Sequence, residues 1–340
     1  MAARVDEFEF FLEKEWSDGF PVVTPTEERV QRMLQGTRRD PAEVIGPIPP
    51  AMEIATVRAV AIHALMAGCK PEYLLVVLGG IALMLREELN LNGVQGTMGS
   101  AAPLMIVDGP YARKIGLHGG NGCFGPGFRA NASIGRAIRL MLLNLGGGIS
   151  GVRSSTVFSS PLRYTACLTE NEEHSPWETL AVSRGYAAED NVITCAMLDP
   201  PRICFDDVSR EPQRLLTGIA DSMSALSSWN VNAPRCAMLV AMGPSQAKLC
   251  AEAGMGRAEV QLRLGEIAGR KVGDLKRGGV FRRERAQKID VDFDDDECFV
   301  RAVKDPRDLH LIVAGGLGPL SVVCNGWGGG SIAVHGTYEV

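Results

Sequence analysis

The chain has 340 residues, of which 46% are hydrophobic and 22% charged, with a net charge of −5. That length supports a large core in one large or two intimate domains, and the mild acidity excludes a general affinity for nucleic acid or anionic membrane. The longest apolar run, Leu74 to Leu85, stops at Arg86 and two glutamates, too short to span a bilayer and suited to a buried helix.

In chain order, residues 6–16 read as a short helix. A second helix is expected over about 27–35, with Thr26 as N-cap and Glu27 and Glu28 in the first turn. Pro41, Pro47, Pro49 and Pro50 mark residues 38–50 as an extended connector, so 1–51 reads as an N-terminal arm. A first α/β unit is expected over 52–207. Its helices lie near 55–67 and 71–89, followed by a strand at 103–108, a helix after Pro110, a glycine loop, a helix at 131–145, and strands at 164–169 and 191–198. A second unit over 208–340 has a helix at 212–228, a strand at 236–242, a helix after Pro244, and another at 257–268. Strands at 309–314 and 331–335 complete it. Within it, residues 270–297 carry eight Lys or Arg up to Lys288 and then an acidic run, a solvated, self-neutralising hairpin. Asp295 and Arg301 occupy the positions where a calcium loop needs Gly and Glu.

The two units look like copies. Leu104 to Ile115 and Met238 to Leu249 each run from an apolar stretch through Gly-Pro into a helix-like segment, with Lys at one offset. The pattern predicts an α/β fold of two pseudo-repeated units packed around a shared cleft, where a ligand site is expected.

Three loops are candidates for that site. Gly119 to Gly127 feeds a helix start, where free N–H groups favour an anion. Arg129 adds charge there, and Asn121 and Asn131 offer polar contacts, although a structural turn before a capped helix explains the same residues. The acidic loop Glu170-Asn171-Glu172-Glu173-His174 leaves the end of a strand. There Glu170, Glu172 or His174 is expected to move a proton, with Trp177 as a pocket wall; a solvated loop is the alternative. Gly315 and Gly316, with Ser321 and Asn325 nearby, are expected to form an amide nest opposite those carboxylates, or simply a turn. Cys123, in the first glycine loop, is a candidate nucleophile with a lowered pKa, or an incidental thiol; Cys69 stands in a similar setting. No HxH or HExxH pattern occurs, no cofactor is expected, and Glu and His at 170–174 support a metal only weakly. Nine cysteines without a CxxC pair, behind an N-terminus with no apolar leader, predict reduced thiols in a cytoplasmic protein.

The segments Trp16–Val30, Met66–Leu74, Arg129–Arg136 and Glu170–Glu173 resemble a bacterial module encoded beside, or fused to, small proteins with a (seleno)cysteine-Gly-Ser-Cys motif. The resemblance spans most of the chain. It implies small-molecule metabolic chemistry with a thiol- or selenol-bearing protein partner. This chain lacks the Cys-Gly-Ser-Cys motif, so any redox group would come from a separate subunit. Asn121, Cys123 and His174 depart from the residues usual there, implying a shifted substrate.

The resulting expectation is an enzyme acting on a small anionic, carboxylated substrate by acid/base chemistry, of lyase or hydrolase type. Arg129 and the helix start hold the anion, Glu170, Glu172 or His174 moves the proton, and Gly315 and Gly316 stabilise negative charge. The alternatives are a thiol-dependent oxidoreductase component and a non-catalytic partner subunit. The proline-rich arm leaves a homodimer open.

Overall fold

The computed structural model describes residues 6–233, 235–279 and 281–340. The chain opens with α1 (Glu7–Glu13), α2 (Glu27–Leu34) and the strand pair β1 (Val44–Ile48) and β2 (Glu53–Thr56). It continues through α3 (Val57–Met66), α4 (Leu74–Met84), α5 (Leu91–Gly96), β3 (Ala102–Asp108), α6 (Pro110–Lys114), α7 (Arg129–Asn144), β4 (Cys167–Leu168) and α8 (Leu180–Ser183). Then come β5 (Val192–Leu198), β6 (Arg202–Phe205), α9 (Pro212–Met223), α10 (Trp229–Asn232), β7 (Met238–Met242), α11 (Pro244–Glu252) and α12 (Arg257–Ile267). The last part holds β8 (Gly269–Lys271), α13 (Val272–Arg277), α14 (Arg283–Lys288), β9 (Phe299–Arg301), β10 (Leu309–Val313), β11 (Leu320–Cys324) and β12 (Val334–Thr337). Helices and strands alternate, and the chain is an α/β protein.

Two four-stranded sheets carry the fold, in the orders β12-β5-β3-β4 and β6-β11-β7-β10. In each, one pair is parallel, β3 with β4 and β7 with β10, and the remaining pairs are antiparallel. The strands alternate their side chains between two buried faces, so they read as continuous apolar runs. Met105, Val107, Ile193 and Met197 meet α3, α4 and α7 on the outer side of the first sheet. Met238, Val240, Leu309 and Leu311 meet α9 and α12 on the outer side of the second. Leu104, Ile106, Leu168 and Leu198 pack between the sheets against Leu239, Ala241, Ile312 and Cys324. The result is four layers: helices, sheet, sheet, helices.

Several expectations need correction. The expected boundary at 207/208 is crossed, because β6 lies in the second sheet and β12 in the first; each sheet takes its edge strand from the other half of the sequence. The connector at 38–50 contains β1, paired across the expected 51/52 boundary with β2. Among the described residues of the arm, Phe11, Val30, Met33, Leu34 and Ile48 are buried in the first helical core; residues 1–5 lie outside the described part. The strand expected at 164–169 shrinks to two residues, and β6 and β11 were not foreseen. The charged insert is closed at its base by β8 pairing with β9. It holds two short helices tied by Lys276–Asp296 and Arg283–Asp294 ion pairs of 2.7 and 2.6 Å. Among the described residues, no helix is long and apolar enough to cross a membrane.

Candidate functional site

The ends of β4 and β10 meet. The Asn171 N–H donates to the Val313 carbonyl at 2.8 Å, and the Asn171 amide donates to the Gly315 carbonyl at 2.9 Å. The first glycine loop joins them, since the Gly315 N–H donates to the Gly119 carbonyl at 2.7 Å. Two glycines make this approach possible. A Cβ on Gly119 would overlap the backbone of Thr169 and Glu170, and one on Gly316 would overlap the end of the Asn121 side chain.

Where these loops converge lies a pocket of about 360 Å³, within the range of small-molecule sites. Asn121, Cys123, Phe124, Gly315, Gly316 and Ser321 line it, with Ile203, Ala241 and Val322 as an apolar wall. The N–H groups of Gly316 and Leu317 make no hydrogen bond among the described residues. That of Gly318 reaches the Ser245 hydroxyl in the first turn of α11 at 3.1 Å. Ser321 donates to the Gln246 side chain, whose Nε2 is buried without a partner. Cys123 is the one titratable residue of the lining. Burial pushes its thiol up, against the opposing pull of the backbone N–H groups of Gly315, Cys123 and Phe124. The lowered pKa expected for Cys123 is therefore corrected: burial outweighs the nearby N–H donors. Cys69 is likewise pushed up, to about 12, by burial.

The acidic loop splits between inside and outside. Leu168 and Glu170 share the face between the sheets, as alternation demands, and Glu170 is fully buried. One carboxylate oxygen accepts from Arg257 at 2.8 Å and from the Val313 N–H at 3.2 Å, and the other from the Leu180 N–H. Arg257 also donates to the carbonyls of Leu311 and Glu178. Asp108 sits in the same layer with both carboxylate oxygens buried and unpartnered. Burial first, then the neighbouring Glu170 charge, push the Asp108 carboxyl well above the usual range. Burial also raises Glu170, opposed by Arg257 and the two N–H donors. The Asp108 carboxyl is thus displaced upward more strongly than that of Glu170, which the Arg257 guanidinium and two N–H donors hold back.

Other expected site residues take structural roles. Glu172 turns outward into an ion pair with Arg113 at 2.6 Å. His174 is exposed, with Nδ1 3.2 Å from the Asn171 side-chain oxygen. Arg129 donates to the Gly68 carbonyl at 3.1 Å, which leaves it out of the pocket lining. Asn131 braces the glycine loop, holding the His118 N–H and carbonyl at 2.9 and 2.8 Å and the Cys123 carbonyl at 3.3 Å. Trp177 joins the second helical core and donates to Met255 at 3.1 Å. Asn325 donates to Met223 and Ser228. So the structure gathers Asn121, Cys123, Gly315, Gly316 and Ser321 into one pocket, while Glu170, Glu172, His174, Arg129 and Asn131 fall outside its lining.

Sequence reasoning missed Arg257, Asp108 and Gln246. Asp108 had a visible signal, an acid closing an apolar strand in phase with Leu104 and Ile106. Among the described residues no group of three or more His, Cys, Asp or Glu side chains is placed to hold a metal ion. No protein-family model matches the chain, and no curated protein matches it significantly.

Proposed function

We propose that the protein is an enzyme of small-molecule metabolism that takes an anionic, carboxylated substrate into the pocket between the two glycine loops. The reading is lyase or hydrolase chemistry by proton transfer. The observation that carries it is the convergence of the unpartnered Gly316 and Leu317 N–H groups with a thiol beside an apolar wall. Free amides receive a carboxylate or a developing oxyanion. The raised thiol keeps its proton at neutral pH, which suits Cys123 to act as an acid toward bound substrate. The proton-moving role thus passes from Glu170, Glu172 and His174 to Cys123.

The reading includes two copies of one α/β unit closing over a shared cleft. Matching strand orders and senses in the two sheets support it, as do the Gly-Pro steps that follow β3 and β7 and start α6 and α11. The loops after β4 and β10 then hold equivalent positions on either side of the contact. Nine free cysteines fit the reducing cytoplasm.

A second reading, a thiol-dependent oxidoreductase component working with a thiol- or selenol-bearing protein partner, is favoured by the exposed Ile203, Phe205 and Leu317 at and beside the pocket. Turnover of a panel of small carboxylates, followed by proton NMR, tests the first. Cys123→Ser abolishes turnover without loss of folded structure if Cys123 moves the proton. Turnover that survives the substitution contradicts the reading, and turnover seen only with an added thiol favours the second.

A further inference from the structure

A second pocket, of about 350 Å³, lies in the other half of the chain, between α10 and the segment leading into α14. Ser227, Trp229, Asn232, Phe281, Arg282 and Arg285 line it, and no acidic side chain does. Trp229 and Asn232 stand three residues apart on one helical turn, which puts them on the same face. The Arg285 guanidinium lies 5.4 Å from the Trp229 ring centroid, yet the tryptophan keeps 41% of its surface exposed. Arg285 makes no ion pair among the described residues, and Arg282 has only a 3.7 Å contact with the exposed Glu284. Asn232 is 8% exposed. Its amide nitrogen donates to the Ser228 carbonyl at 3.4 Å, and its oxygen is buried with no partner.

The tryptophan and the arginines ask for different parts of one ligand. An exposed indole offers a stacking surface for a flat base. Two guanidinium groups lining one pocket match a dianionic phosphate better than a single carboxylate. We propose that this pocket binds a mononucleotide: the base stacks on Trp229, and the phosphate pairs with Arg282 and Arg285. The site is separate from the glycine-loop pocket and stands whether or not that pocket is catalytic.

Calorimetric titration of the full chain with adenosine 5′-monophosphate tests the proposal, with adenosine and inorganic phosphate as the separated parts. The nucleotide is expected to bind saturably and more tightly than either part. Trp229→Leu and Arg285→Gln each weaken it by roughly tenfold, the scale of losing one stacking or charge-assisted contact, and Trp229→Phe retains most of the affinity. Arg285 is half-buried and makes no ion pair among the described residues, so its substitution decides even if the tryptophan variant fails to fold. No saturable binding at millimolar nucleotide overturns the proposal. So does phosphate binding as tightly as the nucleotide, or affinity unchanged in Arg285→Gln.

Discussion

At the ends of β4 and β10, an open pocket and a buried ionic knot lie back to back, built from adjacent residues. Asn171 helps close the loops that frame the pocket, while Glu170, one residue earlier, points between the sheets to Arg257. The pocket side is glycine-rich, with free amides and a neutral thiol. The knot side concentrates charge in a buried layer: backbone N–H groups and carbonyls serve Glu170 and Arg257, while the Arg257 Nε and both Asp108 oxygens stay without a partner. Here Glu170 ties the end of β4 to β10 and, through Arg257, to α12, whereas the chemistry proposed above is assigned to a region that carries almost no charge.

The largest expected effect tests the knot. Arg257→Met leaves the Glu170 carboxylate buried without its cation, and urea unfolding should show a loss of about 3–5 kcal/mol. The double variant with Glu170→Leu should recover most of that loss, because an apolar pair replaces the ionic one. A loss under about 1 kcal/mol in the single variant would show the pair to be dispensable.

A glycine comparison comes next. Gly119→Ala sets a Cβ against the backbone of Glu170, which cannot swing away, and should cost about 1–3 kcal/mol. Gly316→Ala meets only the end of the exposed Asn121 side chain and should cost less than about 1 kcal/mol. Equal costs would mean that both loops are equally free to move.

Asp108 gives a pH signature. Its carboxyl titrates higher in the folded chain than the roughly 3.9 of an unfolded one. The folded state thus holds the proton more tightly, and stability present below about pH 4 is lost as pH rises toward the folded value. Asp108→Asn removes that loss. Wild type and variant should unfold at similar urea concentrations near pH 4, and the variant should gain upwards of about 1 kcal/mol at pH 8. A variant less stable at pH 8 would show the carboxylate to be satisfied.

The smallest effect belongs to the outer carboxylate. Glu172→Gln removes one surface ion pair and should change stability by no more than about 0.5 kcal/mol, with turnover unaltered. A marked drop in turnover would return the proton-moving role to the acidic loop.

Much of this fold was legible. Thr26 caps α2 as expected, accepting from the Arg29 N–H at 3.5 Å, and the Gly-Pro steps start α6 and α11. Two of the three candidate loops are legible because glycine is needed where backbones cross, which is a local requirement; the acidic loop is legible only as a cluster of charge. The exchange of β6 and β12 was not legible, since a strand's own residues do not say which sheet edge it joins. Period-two alternation through Leu168 points Glu170 inward but would put Glu172 on the same face; the chain turns at 172–174, and a two-residue strand gives no sign of where the alternation stops. Arg257 carries no local signal, because its partners lie just after β4, on β10 and in the turn before α8.

The most direct test of the glycine-loop pocket is alkylation of Cys123 by iodoacetamide, read by peptide mapping with and without malonate, succinate or phenylacetate. The partly exposed Cys204 and Cys298 serve as controls within the same chain. The account predicts that Cys123 reacts faster as pH rises above neutrality, and that at least one of these carboxylates protects it while both controls react unchanged. A Cys123 that none of them protects, or that is protected no more than Cys204 and Cys298, would contradict it.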